Sequence, residues 1–328
     1  MNLTFWGTCG SLPAPTLAES VRHKIVNALK LAEGRTFNSE EEIEQFVDEE
    51  LPFAVSGTYG GNTSCVQICA GGDDIYLLDA GSGLKEFSDQ YMRRDEVNVP
   101  RHFHIFMTHL HWDHIQGFPF FAPAYIPGNK ITFHGFHPDI ETSIRKQMEP
   151  PCFPVPFDAM KAEINFVGHI LEAPYEVGPF VIRSMDQNHP GNSFGYRFEA
   201  DGKAVVYSTD SEHKEDAYND NYRFIEFFKN ADVVIFDAQY TLHDATFNKV
   251  DWGHSSNIMG VELTSRARAK HLILFHHDPA NTDEDLDEYL VSTKTYADIY
   301  HSETDPRGKK PRYPQKISLA FDGLKVTI

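Results

Sequence analysis

The stretch from Thr108 to His114 places four side chains that could bind metal ions within six residues. It reads His109-Leu110-His111-Trp112-Asp113-His114 and follows an apolar run. Packing does not explain so many polar groups beside a core, where a buried polar group without a partner costs about 1–3 kcal/mol. In a tight loop at a strand end, His109 and His111 would point one way and Asp113 and His114 the other. That arrangement predicts two neighbouring cations; the alternative is a chance cluster in which Asp113 caps a helix.

Two ligands per ion are too few, because a catalytic zinc ion typically has three protein ligands and keeps a position for water. Three further apolar, strand-like runs end abruptly in His or Asp. Residues 180–183, 204–208 and 272–275 lead to His189, Asp210 and His276. Each alone could be a cap or an ordinary structural histidine. Taken together behind the first loop, they predict a shared metal site at one end of a sheet.

Five segments thus occur in order along the chain, and the first of them is Leu77-Leu78-Asp79-Ala80-Gly81. The others are the His109–His114 loop, His189, Asp210 and His276. This order resembles the five motifs of the metallo-β-lactamase superfamily, from Leu3 to about Phe321. Three segments resemble its phosphodiesterase branch, which includes tRNase Z and bacterial cyclic-phosphate hydrolases: Phe5–Ser11, Tyr59–Cys65 and Trp252–Ser255. The implied fold is α/β, a four-layer αββα sandwich, as one hydrolase domain over residues 1–328.

The resemblance implies a role for each matching residue. The ligands of one ion would be His109, His111 and His189. The ligands of the other would be Asp113, His114 and His276. Asp210 would bridge the two ions together with a water or hydroxide, and Asp79 would accept a hydrogen bond from a ligand imidazole and fix its tautomer. This nitrogen-rich set without thiolates suits two Zn²⁺ ions best, and Mn²⁺ and Fe²⁺ are compatible alternatives.

The implied chemistry is hydrolysis. Two divalent cations lower the pKa of a shared water and stabilise the negative charge that develops on a phosphodiester, but they supply no proton to the leaving group. The resemblance assigns that role to His254, with Asp237 as the acid that orients it, and Asp113 is counted with the catalytic groups. The alternatives are that His254 is a turn residue before a helix capped by Ser255 or Ser256, and that Asp237 only caps a strand.

The net charge of −19 argues against a long nucleic acid as partner, because such partners require clustered Lys and Arg. The arm with which tRNase Z grips tRNA also has no room, since only twenty residues separate His189 from Asp210. We therefore expect a small or cyclic phosphodiester, such as a cyclic nucleotide or a cyclic sugar phosphate. The alternatives are an ester, thioester or lactone hydrolase on the same metals, and a non-catalytic metal-binding sensor.

Composition indicates the compartment. The four cysteines form no CxxC pair, the N-terminus lacks the pattern of a signal peptide, and no apolar run approaches the roughly 18 residues of a membrane span. We therefore expect a cytoplasmic protein without a membrane partner.

Three features lie outside the motifs. Helical spacing of Val21, Ile25 and Leu29, followed by a second amphipathic segment, predicts a helical insertion at about 17–53. This insertion would cap the site or pack against a second copy in a homodimer. His213 and His137 are weak candidates for substrate contact.

Overall fold

The computed structural model describes residues 1–305, 307–308 and 311–328. The described residues form two seven-stranded sheets. In spatial order, the first sheet contains β14 (Lys325–Thr327), β1 (Asn2–Gly7), β2 (Cys65–Cys69), β3 (Ile75–Leu78), β4 (His102–Phe106), β5 (Lys130–Gly135) and β6 (Glu163–Gly168). The second contains β13 (Lys316–Leu319), β12 (His271–Phe275), β11 (Val233–Asp237), β10 (Lys203–Ser208), β9 (Ser193–Ala200), β8 (Phe180–Gln187) and β7 (Tyr175–Val177).

α-Helices occupy many of the segments that connect the strands. They are α1 (Ala18–Leu31), α2 (Glu40–Gln45), α3 (Phe53–Ser56), α4 (Gly83–Met92), α5 (Trp112–Ile115), α6 (Ile140–Lys146), α7 (Arg223–Phe228), α8 (Asn257–Ala267) and α9 (Asp283–Thr304). The longest, α9, begins with a capping box between Thr282 and Asp285, which satisfies backbone donors at its first turn. In the described chain, no helix combines the length and apolar composition needed to cross a bilayer.

The alternation of side chains along the strands produces the layers. On β4, Phe103 and Ile105 face helices α4 and α6, whereas Phe106 faces the second sheet. On the far side, buried side chains of β10–β12 pack against α7, α8 and α9. Helices, sheet, sheet and helices therefore form four layers around three apolar clusters, which confirms the α/β sandwich predicted from the motifs.

Parallel pairing determines where the polar loops collect. β3, β4, β5 and β6 run parallel to one another, as do β10, β11, β12 and β13. Neighbouring parallel strands end at the same sheet edge, so the loops that follow them lie side by side. In open α/β sheets this carboxyl edge is where ligands bind.

The segment between β1 and β2 is helical and contains α1, α2, a π-helical turn at Phe46–Glu50, and α3. Lys24 fastens α1 to the rest of the fold by donating to the carbonyl oxygens of Ala54 and Gly57 and to the Asp283 carboxylate. None of the residues of α1 is buried, and its apolar side chains Val21, Ile25 and Leu29 are exposed. The spacing correctly indicates a helix, but its apolar face is uncovered within the single chain.

Phe106 provides a test of the packing between the sheets. Its fully buried ring contacts those of Tyr196 and Phe198, so Phe106→Ala should lower the free energy of unfolding by about 3–5 kcal/mol. Urea denaturation would measure the change. Phe247→Ala is the matched control, because that ring is 73% exposed and its loss should cost less than about 0.5 kcal/mol. Equal costs would contradict this packing.

Candidate metal centre

The structure brings the seven predicted ligands together in two adjoining groups. The first group is His109, His111 and His189, and the second is Asp113, His114, Asp210 and His276. Within each group, one potential ligand atom per residue lies within 4.8 Å of every other. All of these side chains are buried except that of His111.

Asp210 lies between the two groups and faces each with a different oxygen. Its Oδ1 is 3.7 Å from both His109 Nε2 and His189 Nε2. Its Oδ2 is 3.3 Å from His114 Nε2 and 3.4 Å from His276 Nε2. Asp113 completes the second group, with Oδ2 at 3.3 Å from His114 Nε2 and 3.2 Å from His276 Nε2. A carboxylate in this position can bridge two cations.

Strand ends supply these side chains through an unusual backbone conformation. Asp79, Asp210 and His276 each follow a buried strand and have φ of 60°, 56° and 64°. Left-handed backbone at residues other than glycine costs about 1–3 kcal/mol and occurs mainly at functional sites. Here it turns the chain sharply as it leaves β3, β10 and β12.

Hydrogen bonds determine which imidazole nitrogens are free to bind metal. His114 Nδ1 donates to Asp79 Oδ2 at 2.8 Å, and His189 Nδ1 donates to the carbonyl oxygen of Gly253 at 2.8 Å. Both bonds place a proton on Nδ1, and both Nε2 atoms face Asp210. Gly253 must be glycine for this approach, since it has φ of 86° and a Cβ there would lie 2.3 Å from His189 Nδ1.

The buried carboxylates of the cluster require positively charged groups beside them. Burial opposes ionisation of Asp210, yet the imidazoles of His276, His114 and His109 hold its pKa well below the ordinary value. Burial likewise opposes protonation of His114, but Asp210, Asp113 and Asp79 raise its pKa well above the ordinary value. Among the described residues, the ion pairs of Asp113 and Asp210 are made with histidines alone.

The cluster also contains a potential ligand atom that has no hydrogen-bond partner, as a site for divalent cations would. The Nε2 atom of His109 is buried without a hydrogen-bond partner, although it points at Asp210. A buried polar atom left unpaired costs about 1–3 kcal/mol, and a cation at this position would remove that cost. Imidazole nitrogen and carboxylate oxygen are ligands that zinc accepts in tetrahedral sites.

A histidine–carboxylate pair lies directly beside the cluster. His254 Nδ1 donates to Asp237 Oδ2 at 2.8 Å and is 3.9 Å from Asp210 Oδ1. Burial disfavours the charged imidazole, but the carboxylates of Asp237 and Asp210 outweigh it and raise the pKa of His254 to about 8. Ser256 caps α8 by accepting a hydrogen bond from the Met259 amide. His254 therefore also lies in the turn before a capped helix, which is the position that the alternative interpretation gave it.

The two weak substrate candidates lie in different places. His213 hydrogen bonds to the Tyr222 hydroxyl and stacks on Phe236, and burial lowers its pKa to about 3. It therefore packs in the apolar layer between β11 and α7. His137 packs against Phe194, and its pKa, lowered mainly by burial, also responds to the nearby His111. The pKa of His213 responds in turn to Asp237, so each candidate lies within electrostatic reach of one part of the site.

Three supporting groups were not predicted from the sequence. Thr108 donates to Asp79 from both its amide and its hydroxyl, and the Tyr207 hydroxyl donates to Asp79 Oδ2 at 3.0 Å. The Ser11 amide donates to Asp113 Oδ2 at 2.8 Å. Thr108 adjoins the first ligand and could have been suspected, but nothing in the sequence indicates that Tyr207 or Ser11 reaches the site.

Comparison with known proteins agrees with this geometry. The model of a family described as the β-lactamase superfamily domain matches residues 75–277, well over half of the chain. Ribonuclease Z from Porphyromonas gingivalis is 23% identical over 62% of this chain and 80% of its own length.

Two solved structures share the fold at 18% identity. One is the metallo-β-lactamase fold protein YhfI from Bacillus subtilis, with a TM-score of 0.63 over 99% of this chain and 98% of that one. The other is the short form of human tRNase Z, with a TM-score of 0.58 over 100% of this chain and 99% of that one. The two structures share the fold of this chain, and the matched family model confirms the superfamily read from the motifs: the chain belongs to the β-lactamase superfamily.

Proposed function

We propose that this metal-dependent hydrolase cleaves a small or cyclic phosphodiester, such as a cyclic nucleotide or a cyclic sugar phosphate. The ligands of one ion would be His109, His111 and His189. The ligands of the other would be Asp113, His114 and His276. Asp210 would bridge the ions, and Zn²⁺ fits these nitrogen-rich groups best.

The observation that carries the proposal is the Asp237–His254 pair beside the bridging carboxylate. His254 Nδ1 lies 2.8 Å from Asp237 Oδ2. This carboxylate holds the proton on Nδ1, so Nε2 is the atom that would exchange a proton with a substrate. An ordinary turn histidine would not need a fully buried carboxylate behind it. Sequence relatives such as ribonuclease Z are enzymes that cleave RNA, and this supports phosphodiester chemistry here.

The protein's groups would divide the reaction between them. Bound divalent cations would supply Lewis acidity, which makes water more acidic and offsets charge on the phosphate. As a bond forms between the water oxygen and phosphorus, the bond to the ester oxygen breaks, and His254 would deliver its Nε2 proton to that leaving oxygen. Asp237 would stabilise the protonated imidazole before transfer and keep its ring in place.

Two features support a small substrate over a long RNA. The chain between His189 and Asp210 is occupied by β9 and β10, joined by the tight turn at Asp201 and Gly202. An RNA-gripping insertion of the tRNase Z kind has no place in that hairpin. The net charge of −19 also opposes binding of an extended polyanion.

Removal of the bridging carboxylate should disrupt metal binding. Asp210→Ala takes one ligand from each ion, so elemental analysis should find at least one ion fewer per chain, with nearly all hydrolysis lost. Asp216→Ala, at an exposed position, is the control and should retain both ions and activity. Unchanged metal content in Asp210→Ala would contradict the assignment of Asp210 as a bridge.

His254→Ala should separate proton donation from metal binding. The variant should retain both ions while kcat falls about 10²–10⁴-fold on a substrate with an alkoxide leaving group, the usual contribution of a general acid. The loss should be much smaller on bis(p-nitrophenyl) phosphate, because p-nitrophenolate departs without a proton. His243→Ala, an exposed histidine of the preceding loop, is the control. An equal loss on both substrates, or no loss, would contradict the general-acid role.

A substrate panel tests the reaction class. We expect the metal-loaded protein to hydrolyse bis(p-nitrophenyl) phosphate and at least one 2′,3′- or 3′,5′-cyclic nucleotide, with little cleavage of pre-tRNA. Turnover of a thioester or lactone without any phosphodiester cleavage would instead indicate acyl chemistry at the same centre. Metal binding without turnover of any of these substrates would favour a sensor.

A further inference from the structure

A line of histidines crosses the first sheet away from the candidate metal centre. His104 Nδ1 lies 3.0 Å from His134 Nε2, and His134 Nδ1 lies 3.0 Å from His169 Nε2. The rings stack between Tyr76 at one end and Tyr175 at the other. Because five residues separate His104 on β4 from His109 in the metal loop, the two sites are roughly 16 Å apart at about 3.3 Å per residue.

The line has an open end at the sheet edge. His104 Nε2 is 3.7 Å from Asp74 Oδ2, and the ring of His102 lies 3.8 Å from that of His104. One potential ligand atom from each of Asp74, His102 and His104 lies within 4.8 Å of the other two. A distance of 3.7 Å is too long for a hydrogen bond, so Asp74 and His104 approach without being directly bonded.

The hydrogen bonds along the line constrain the protons. A neutral imidazole has one N–H. If His104 donates to His134 and His134 donates to His169, the Nε2 lone pair of His104 faces the Asp74 carboxylate. The lone pair and the carboxylate oxygen then point at a common position, where a cation would interact favourably with both.

We propose that Asp74, His102 and His104 bind a further divalent transition-metal ion, of the class of Zn²⁺, Co²⁺ or Ni²⁺, independently of the first centre. Two imidazoles and one carboxylate are ligands that these ions accept. His134 Nε2 would accept a hydrogen bond from the Nδ1–H of His104 and so fix the tautomer of this ligand histidine. Nearby Lys130 does not occupy the position, since its ammonium pairs with Glu163 at 3.5 Å.

The ion would join the chain just before β3 to two residues of β4. Because these groups converge only in the folded chain, bound metal would stabilise the native state. The site would therefore be structural and separate from hydrolysis, and its presence does not depend on the proposed phosphodiesterase activity.

Counting ions tests the proposal. Metal-free full-length protein dialysed against micromolar Zn²⁺ should bind three ions per chain, and the double variant Asp74→Asn, His102→Gln should bind two. Asp73→Asn makes the same change at the neighbouring carboxylate, which pairs with Arg101 outside the cluster, and should still bind three. All of these proteins should hydrolyse bis(p-nitrophenyl) phosphate at the same rate.

Other outcomes overturn the proposal without affecting the proposed function. Two ions in the unaltered protein, or a third ion retained by the double variant, would show that Asp74 and His102 hold none. If the double variant fails to fold, the single variant Asp74→Asn can replace it, because that side chain is at the surface. If this variant weakens binding of the third ion by less than threefold, the site is refuted. A Co²⁺ titration adds a spectroscopic check, since the visible absorption of the third ion should disappear in the variant.

Discussion

Burial of Asp113 and Asp210 among imidazoles is the constraint on which the rest of the site depends. A carboxylate removed from water is costly unless it is paired and hydrogen-bonded. The surrounding protons are therefore directed outward, from His114 to Asp79 and from His189 to the Gly253 carbonyl, so that lone pairs converge where cations fit. The same requirement explains why Asp79 is itself buried and why Thr108 and Tyr207 donate to it.

The cluster can be held in place because the strands behind it are rigid. Left-handed backbone at Asp79, Asp210 and His276 would relax to an ordinary conformation if the chain were free. It persists because β3, β10 and β12 are buried and paired on both sides within their sheets. Strain at the strand ends is thus tolerated because of the packing of the sandwich.

The ligands could be predicted from the sequence because each follows an apolar run that stops abruptly at His or Asp. The groups that orient them could not, since they depend on tertiary contact: Tyr207 is 128 residues from Asp79, and the acceptor for His189 is a main-chain carbonyl. His213 shows that closeness in sequence to a ligand does not by itself place a side chain among the ligands. It lies three residues after Asp210 in the chain, but its ring stacks on Phe236 and its Nδ1 hydrogen bonds to the Tyr222 hydroxyl.

Helix α1 shows why a correct secondary-structure prediction leaves the surroundings undetermined. Periodicity specifies which residues share a face, but what covers that face depends on where neighbouring elements lie. Lys24, on α1, donates to α3 and α9 through its ammonium group, whereas Val21, Ile25 and Leu29 of the same helix are exposed. The pattern that predicts a buried stripe in most helices here produces an exposed one.

Apolar packing also keeps the two polar networks of the first sheet apart. Phe106 stacks on His134 at 4.6 Å, packs against Tyr196 and Phe198 across the sandwich, and stands three residues before His109 in the chain. Tyr196 in turn donates to the Met107 carbonyl, which closes the gap between the histidine line and the metal loop. Phe106 and Tyr196 therefore stand between the two networks. One strand, β4, carries His102 and His104 in its first half and leads beyond its end to the metal ligands His109 and His111.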